Sequence, residues 1–188
     1  HLTPIFAGIS HSLLNSGTFL KKSWLYLQKC AQLKATVLVS PNFGLDWMIK
    51  TVKDSHLENI DLSSVRNIMC GAEPISMDTI RRFYEKFSSS GLRENTIHQV
   101  YGMAEASLAV TIPEEGHNRS VCINRHKARI GQEVEYIETK EPNAAEFAIV
   151  GEPLYELEIL IVDDEDHILG ENYIGNIVIK GKMYLRDI

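Results

Sequence analysis

The sequence predicts an α/β fold, in which a parallel sheet with crossover helices is followed by a small antiparallel β subdomain. Three observations carry this expectation. Up to about residue 115, short apolar runs that suit strands alternate with longer segments whose apolar residues recur at three- and four-residue steps. Around Gly116 the polar segments "EEGHNRS" and "RHKAR" interrupt that rhythm. Beyond them, "ELEILIVDDEDHILGENYIGNIVIKG" alternates about an acidic turn, as antiparallel strands do. The expected division is 1–115 for the α/β part and 116–188 for a linker and the start of the β part.

Taken in order, "SWLYLQKCAQLKA" places Trp24, Leu27, Cys30, Ala31 and Lys34 at helical spacing, so a helix with one apolar face is expected from Ser23 to Ala35. "TVLVS" then reads as a buried strand, "PNFG" as a break, and "LDWMIKTV" as a second helical pattern. "VRNIMC" is a further strand, followed by the turn "GAEPIS". In "MDTIRRFYEKF", Ile80, Phe83, Tyr84 and Phe87 fall on one face, and Arg81, Arg82, Glu85 and Lys86 on the other. Ser76 stands where an N-cap belongs and Gly91 where a helix stops. "TIHQV" is a third strand. In parallel sheets the ligand crevice lies beyond the carboxyl ends of the strands, which directs attention to "GAEPIS" and "YGMAEAS".

Composition narrows the function. Of 188 residues, 44% are hydrophobic and 23% charged, enough for a real core. Nineteen Lys and Arg against 25 Asp and Glu give a net charge of -6 without a basic tract, which argues against nucleic acid as partner. Cys30, Cys70 and Cys122 are too scattered for a disulfide framework or zinc spacing, and a reducing cytoplasm fits them best. The longest apolar runs are far shorter than a membrane span, and the opening residues lack signal-peptide order.

Two segments could carry chemistry. Glu105 stands among Gly102, Ala104 and Ala106, whose small side chains let another molecule approach. A carboxylate so placed can hold magnesium against substrate phosphates, or can be a helix-start glutamate favoured by the dipole. Tyr101 could stack on a flat ligand or pack in the core. The Gly71 to Pro74 turn could line a flat ring or simply join a strand to a helix. Asp163, Asp164, Glu165 and Asp166 lack the glycine and distal glutamate of a calcium loop and read as a solvated hairpin turn. Asn118, Arg119 and Ser120 form a glycosylation triplet that is chance in a cytoplasmic protein. The histidines are scattered, no Gly-x-Ser-x-Gly elbow is present, and no Gly-x-Gly-x-x-Gly follows a strand. Hydrolase and dinucleotide-oxidoreductase readings therefore gain no support.

Together, "GAEPIS", "VYGMAEASLAV", "VGEPL" and "YIGNIVIKG", in that order, resemble the adenylate-forming (AMP-binding) superfamily. The alanine of "YGMAEAS", with "HLTPIFAGI" and "WLYLQKCAQLKATVLVSPNFG", is similar to the fatty acyl-AMP ligases that load hybrid polyketide and peptide synthetases. The resemblance implies that Tyr101 stacks on adenine, that Gly102, Met103 and Ala104 lie against the α-phosphate, and that Glu105 holds Mg2+ and is the catalytic carboxylate. It implies that backbone at Gly71, Ala72 and Glu73 covers the other adenine face, and that Gln99 and Val100 read the adenine amino group. Asn42, Phe43 and Gly44, with Met69 and Cys70, would border the acyl pocket. The implied reaction activates a fatty or related carboxylic acid with ATP, giving acyl-AMP and pyrophosphate, for transfer to an acyl carrier protein. Coenzyme A as acceptor, or a noncatalytic adenylate-binding relative, are the alternatives.

Several family features have no match here: an upstream Ser/Thr/Gly-rich phosphate loop, a downstream ribose-binding aspartate and a C-terminal domain with a catalytic lysine. Ser16, Gly17 and Thr18 in "SLLNSGTFLKK" do not fit the loop's order, and Asn176 stands where the family usually has glutamate. The 188 residues are accordingly expected to be the middle of a larger N-terminal domain and inactive in isolation. "RHKARIGQEVEYIETKEPNAAEFAIV" is a candidate for the insertion that distinguishes carrier-protein from coenzyme A acceptors.

Overall fold

The computed structural model describes residues 2–113 and 118–181. The polar connector at 114–117, where the expected subdomain boundary falls, and the final residues 182–188 lie outside the described residues.

Three parallel strands, β1 (Val37–Val39), β2 (Asn67–Cys70) and β3 (Ile97–Gln99), pair in chain order. Parallel neighbours need crossovers, and helices supply them. Ahead of the sheet lie α1 (Leu2–Ala7), α2 (Ser16–Lys21) and α3 (Trp24–Leu33). Between β1 and β2 run α4 (Asn42–Thr51) and the short α5 (Asp54–Leu57); between β2 and β3 runs α6 (Met77–Phe87).

Alternation along the strands sends Leu38, Ile68, Cys70 and Ile97 to one face, where they meet Leu27 and Cys30 of α3, Leu45 and Met48 of α4, and Ile80, Phe83 and Phe87 of α6. This is the core. Phe83 and Phe87 lie 4.5 Å apart between ring centroids, the (i, i+4) pairing that the sequence of α6 foreshadows. Ser76 caps α6 by accepting the Thr79 N–H, and after a 3-10 turn at Ser88–Ser90 the chain leaves through Gly91 at φ 81°.

Two expectations are corrected by the structure. "TVLVS" is not buried throughout: Val37 and Val39 are 54% and 72% exposed and only Leu38 is covered. The cause is alternation: Leu38 points to the face that packs on the helices of the core, whereas Val37 and Val39 point to the other face. "PNFG" does not break the chain between elements either, since α4 begins at Asn42 with Pro41 as its N-cap. Proline's fixed φ suits a helix entrance, and Gly44 lets the first turn lie against Ser40 and Pro41.

Antiparallel pairing begins at Tyr101. The strand β4 (Tyr101–Gly102) folds back on β5 (Ala109–Ile112), which also pairs with β8 (Glu152–Pro153). Two further pairs, β6 (Ser120–Asn124) with β7 (Ala144–Ala148) and β9 (Leu157–Val162) with β10 (Asn176–Gly181), make up the β part. The acidic segment is a turn: Asp163 Oδ1 accepts the N–H groups of Glu165 and His167, which hold its carboxyl below the usual range.

Candidate adenylate site

The two segments singled out by the sequence meet at the carboxyl ends of β2 and β3. Gly71 leaves β2 where Val100 leaves β3, and the Val100 N–H donates to the Cys70 carbonyl at 2.8 Å. A Cβ on Gly71 would stand 2.6 Å from the Val100 carbonyl oxygen, so only glycine allows this approach. Ala72 is held at φ 69°, a left-handed conformation that costs an L-residue energy. The result is a ledge of closely spaced backbone, flanked by half-buried Tyr101 on the neighbouring strand.

Past Tyr101 the chain makes a tight hairpin. Gly102 lies directly against the Leu108 carbonyl, where any side chain would collide. Met103 is extended, Ala104–Ala106 form a single 3-10 turn, and Ser107 takes φ 64°. Ala106 is buried beneath this turn, which turns Glu105 outwards. With three residues of 3-10 helix there is hardly a macrodipole for Glu105 to complement, so a helix-start role is not its explanation. Glu105 is exposed and has no hydrogen-bond or ion-pair partner among the described residues. A single free carboxylate beside small residues suits magnesium, which needs only one or two protein oxygens when substrate phosphates supply others. It does not suit zinc, and among the described residues no three His, Cys, Asp or Glu converge on a point.

The other predicted residues are placed unequally. Gln99 is fully buried, and its amide Nε2 lies 2.7 Å from the Met77 sulfur while Oε1 has no partner. Its side chain is thus held inside, while its backbone pairs with Cys70 at the end of β2. Met69 and Cys70 are consecutive on β2 and therefore point to opposite faces: Met69, half-buried, to the open face, and Cys70 into the core. Burial, with the Glu73 charge adding, pushes the Cys70 thiol up to about 12. Asn42, Phe43 and Gly44 form the first turn of α4, next to the ledge. Phe43 is 48% exposed and stacks on Trp47 at 5.9 Å. Asn42 Oδ1 accepts the Ser76 N–H at 3.0 Å. Sequence reasoning missed this contact, as it missed Leu108 and Ser107, because each depends on chain segments brought together only by folding.

Two hollows lie away from the ledge. A dry gap of about 10 Å3 among Leu27, Leu38, Leu45 and Phe83 is a packing defect of the core. A shallow groove of about 370 Å3 lies along β6, lined by Ser120, Cys122, Ile137 and Lys140. The ledge itself is open to solvent. No helix among the described residues is long and apolar enough to cross a membrane.

Known proteins resemble this chain over much or nearly all of its length. A medium-chain-fatty-acid acyl-carrier-protein ligase of Teredinibacter turnerae is 27% identical over 191 aligned residues, covering 99% of this chain and 30% of that protein. A 4-hydroxyphenylalkanoate adenylyltransferase of Mycobacterium tuberculosis is 33% identical over 121 residues, covering 64% of this chain and 20% of its own length. The crystal structure of a fatty acyl-adenylate ligase from L. pneumophila, in complex with acyl adenylate and pyrophosphate, superposes with a TM-score of 0.90 at 28% identity, covering 97% of this chain and 32% of that one. The chain thus spans 20% to 32% of the length of these three relatives. The model of one family, described as AMP-binding enzyme, matches residues 1–186. On that match, which takes in both the ledge and the β part, this chain belongs to the AMP-binding enzyme family.

Proposed function

We propose that the chain forms the adenine-binding and part of the acid-binding surface of an enzyme that activates a fatty acid with ATP to acyl-AMP and pyrophosphate. What supports the reading is that the Gly71 backbone meets Val100, the residue before Tyr101, at two neighbouring strand ends, with the exposed, unpartnered Glu105 four residues beyond Tyr101. A flat base would lie between such a backbone and an aromatic ring, and a carboxylate a few residues on would serve a metal-bound triphosphate.

In this reading the loop 71–73 and Tyr101 hold the base, and Gly102 to Ala104 leave room for the α-phosphate. Glu105 would hold magnesium, which would supply positive charge against the phosphates of the nucleotide. A substrate carboxylate oxygen forms a bond to the α-phosphorus while the bond from that phosphorus to the bridging oxygen of pyrophosphate breaks, with no proton required. The chain's contribution is positioning and electrostatics rather than covalent chemistry.

The acceptor is proposed to be a carrier-protein thiol, as the name of the Teredinibacter relative states for that protein. Coenzyme A is the second reading, favoured by a 28% identical putative acyl-CoA synthetase of Caulobacter vibrioides. A cytoplasmic location is in keeping with three free cysteines. The 188 residues alone are expected not to turn over.

The test is fatty-acid-dependent ATP-pyrophosphate exchange by the protein carrying this chain, without coenzyme A or carrier protein. Exchange should appear and should fall about a hundredfold or more in Glu105→Ala. A folded protein without exchange on any acid would sink the adenylation reading and favour a noncatalytic relative.

A further inference from the structure

Two hydrogen bonds of opposite sense join the loop after β2 to the first turn of α4. Glu73 Oε1 accepts the Phe43 N–H at 2.5 Å, and the Ser76 N–H donates to Asn42 Oδ1 at 3.0 Å. A first-turn N–H has no partner within its own helix, and a carboxylate is among the strongest that can be offered. The join is stiff. Pro74 follows Glu73 with a fixed φ, Ala72 is held left-handed, and Gly71 is pinned against Val100. The same loop therefore touches the strand end leading to Tyr101 on one side and α4 on the other. Glu73 Oε1 is engaged by the Phe43 N–H, and the loop backbone itself forms the ledge.

We infer that Glu73 is a positioning residue: its carboxylate ties the acid-facing start of α4 to the adenine-facing loop, so that acid and nucleotide are held in register by one rigid unit. The inference rests on the adenylation reading above. Cutting the tie loosens the first turn of α4 at Phe43, on the acid side of that reading. The contacts of Gly71 with Val100, on the adenine side, remain. Loss of Glu73 therefore acts selectively on the acid.

The test is pyrophosphate exchange by the protein carrying this chain, with decanoate as the acid, in Glu73→Ala and Glu73→Gln. The alanine variant should raise the decanoate KM about tenfold and leave the ATP KM within about twofold, and glutamine, which keeps an acceptor oxygen, should recover most of the loss. If Glu73→Ala fails to fold, Glu73→Asp, which keeps the charge but shortens the reach to the Phe43 N–H by one methylene, should give the same split. An unchanged decanoate KM, equal changes in both KM values, or no recovery by glutamine would overturn the inference. Amide hydrogen exchange at Phe43 separates the two possible failures. Faster exchange in Glu73→Ala with no activity in the wild type means that the tie exists but the adenylation reading, and the positioning role with it, has fallen. Activity with unchanged Phe43 exchange removes the tie alone.

Discussion

At Gly102 the backbone of one hairpin arm rests against the Leu108 carbonyl of the other. Even a methyl group there must push the arms apart, and the displaced segment is the one that carries Glu105. Gly102→Ala is therefore expected to cost about 1–3 kcal/mol in urea unfolding, the usual range for overpacking, and to depress pyrophosphate exchange. Gly131 offers the control. It sits at φ 79°, and a methyl group added there would meet nothing within 4 Å, so Gly131→Ala should cost only the left-handed penalty of about 1 kcal/mol and leave exchange alone. Equal losses of exchange in the two variants would show that the tight approach at Gly102 is not what positions Glu105.

Among the elements, α6 joins the two parts of the chain. On its inner face Phe83 and Phe87 anchor the core, and Lys86 Nζ donates to the Ile49 carbonyl near the end of α4. On its outer face Arg81 makes two hydrogen bonds to Glu146 of β7, at 3.2 and 3.0 Å, and Ser120 of β6 adds a third at 2.7 Å. The Arg81 bonds chiefly, with Ser120 helping, hold the Glu146 carboxyl below the usual range. A carboxyl lowered on folding stabilises above its unfolded-state value, and that contribution is lost as pH falls through the folded one. Glu146→Gln should accordingly cost about 1 kcal/mol or less at neutral pH, since the pair is partly exposed, and the difference from wild type should shrink on acidification. A difference that grows in acid would contradict the pairing.

The inner face of α6 is legible in the sequence at Ile80, Phe83 and Phe87, because helical periodicity, an N-cap serine and a closing glycine all agree; buried Met77 and Thr79 in its first turn are not, because their cover comes from other segments. The exposed face of β1 is not legible either, because a Val-Leu-Val run reads the same whether one face or both is covered. The ledge is legible as two motifs, yet their contact through Gly71 and Val100 is a property of strand order. Glu73 shows the limit most clearly: it looks like a ligand-facing residue, while its partner stands thirty positions away along the chain.

At the scale of the molecule, the three thiols sample regions of different protection. Cys30 and Cys70 lie within the one-sided core on α3 and β2, while Cys122 is half-buried on β6 with its sulfur 3.3 Å from the Thr139 hydroxyl. Burial pushes the Cys30 thiol up to about 11 and the Cys70 thiol up to about 12. Reaction with a thiol reagent needs a thiolate and access, and both core cysteines lack the two together. In the folded chain one thiol should therefore react readily at pH 8, and all three should react in denaturant. The same shifts set a direction for stability. Below the ordinary thiol value neither state has lost protons and the shifts contribute nothing. Above it, the unfolded chain ionises first, so stability falls as pH rises until the folded-state values are passed. By pH 10 the two thiols together should remove about 2–3 kcal/mol from the unfolding free energy. Urea titrations at pH 8 and pH 10, on wild type and on Cys70→Ala, measure this: the variant starts lower because it leaves a cavity, but it should lose less between the two pH values. Equal losses would mean that Cys70 ionises as freely in the folded chain as in the unfolded one, and that the core beneath the ledge is open to water.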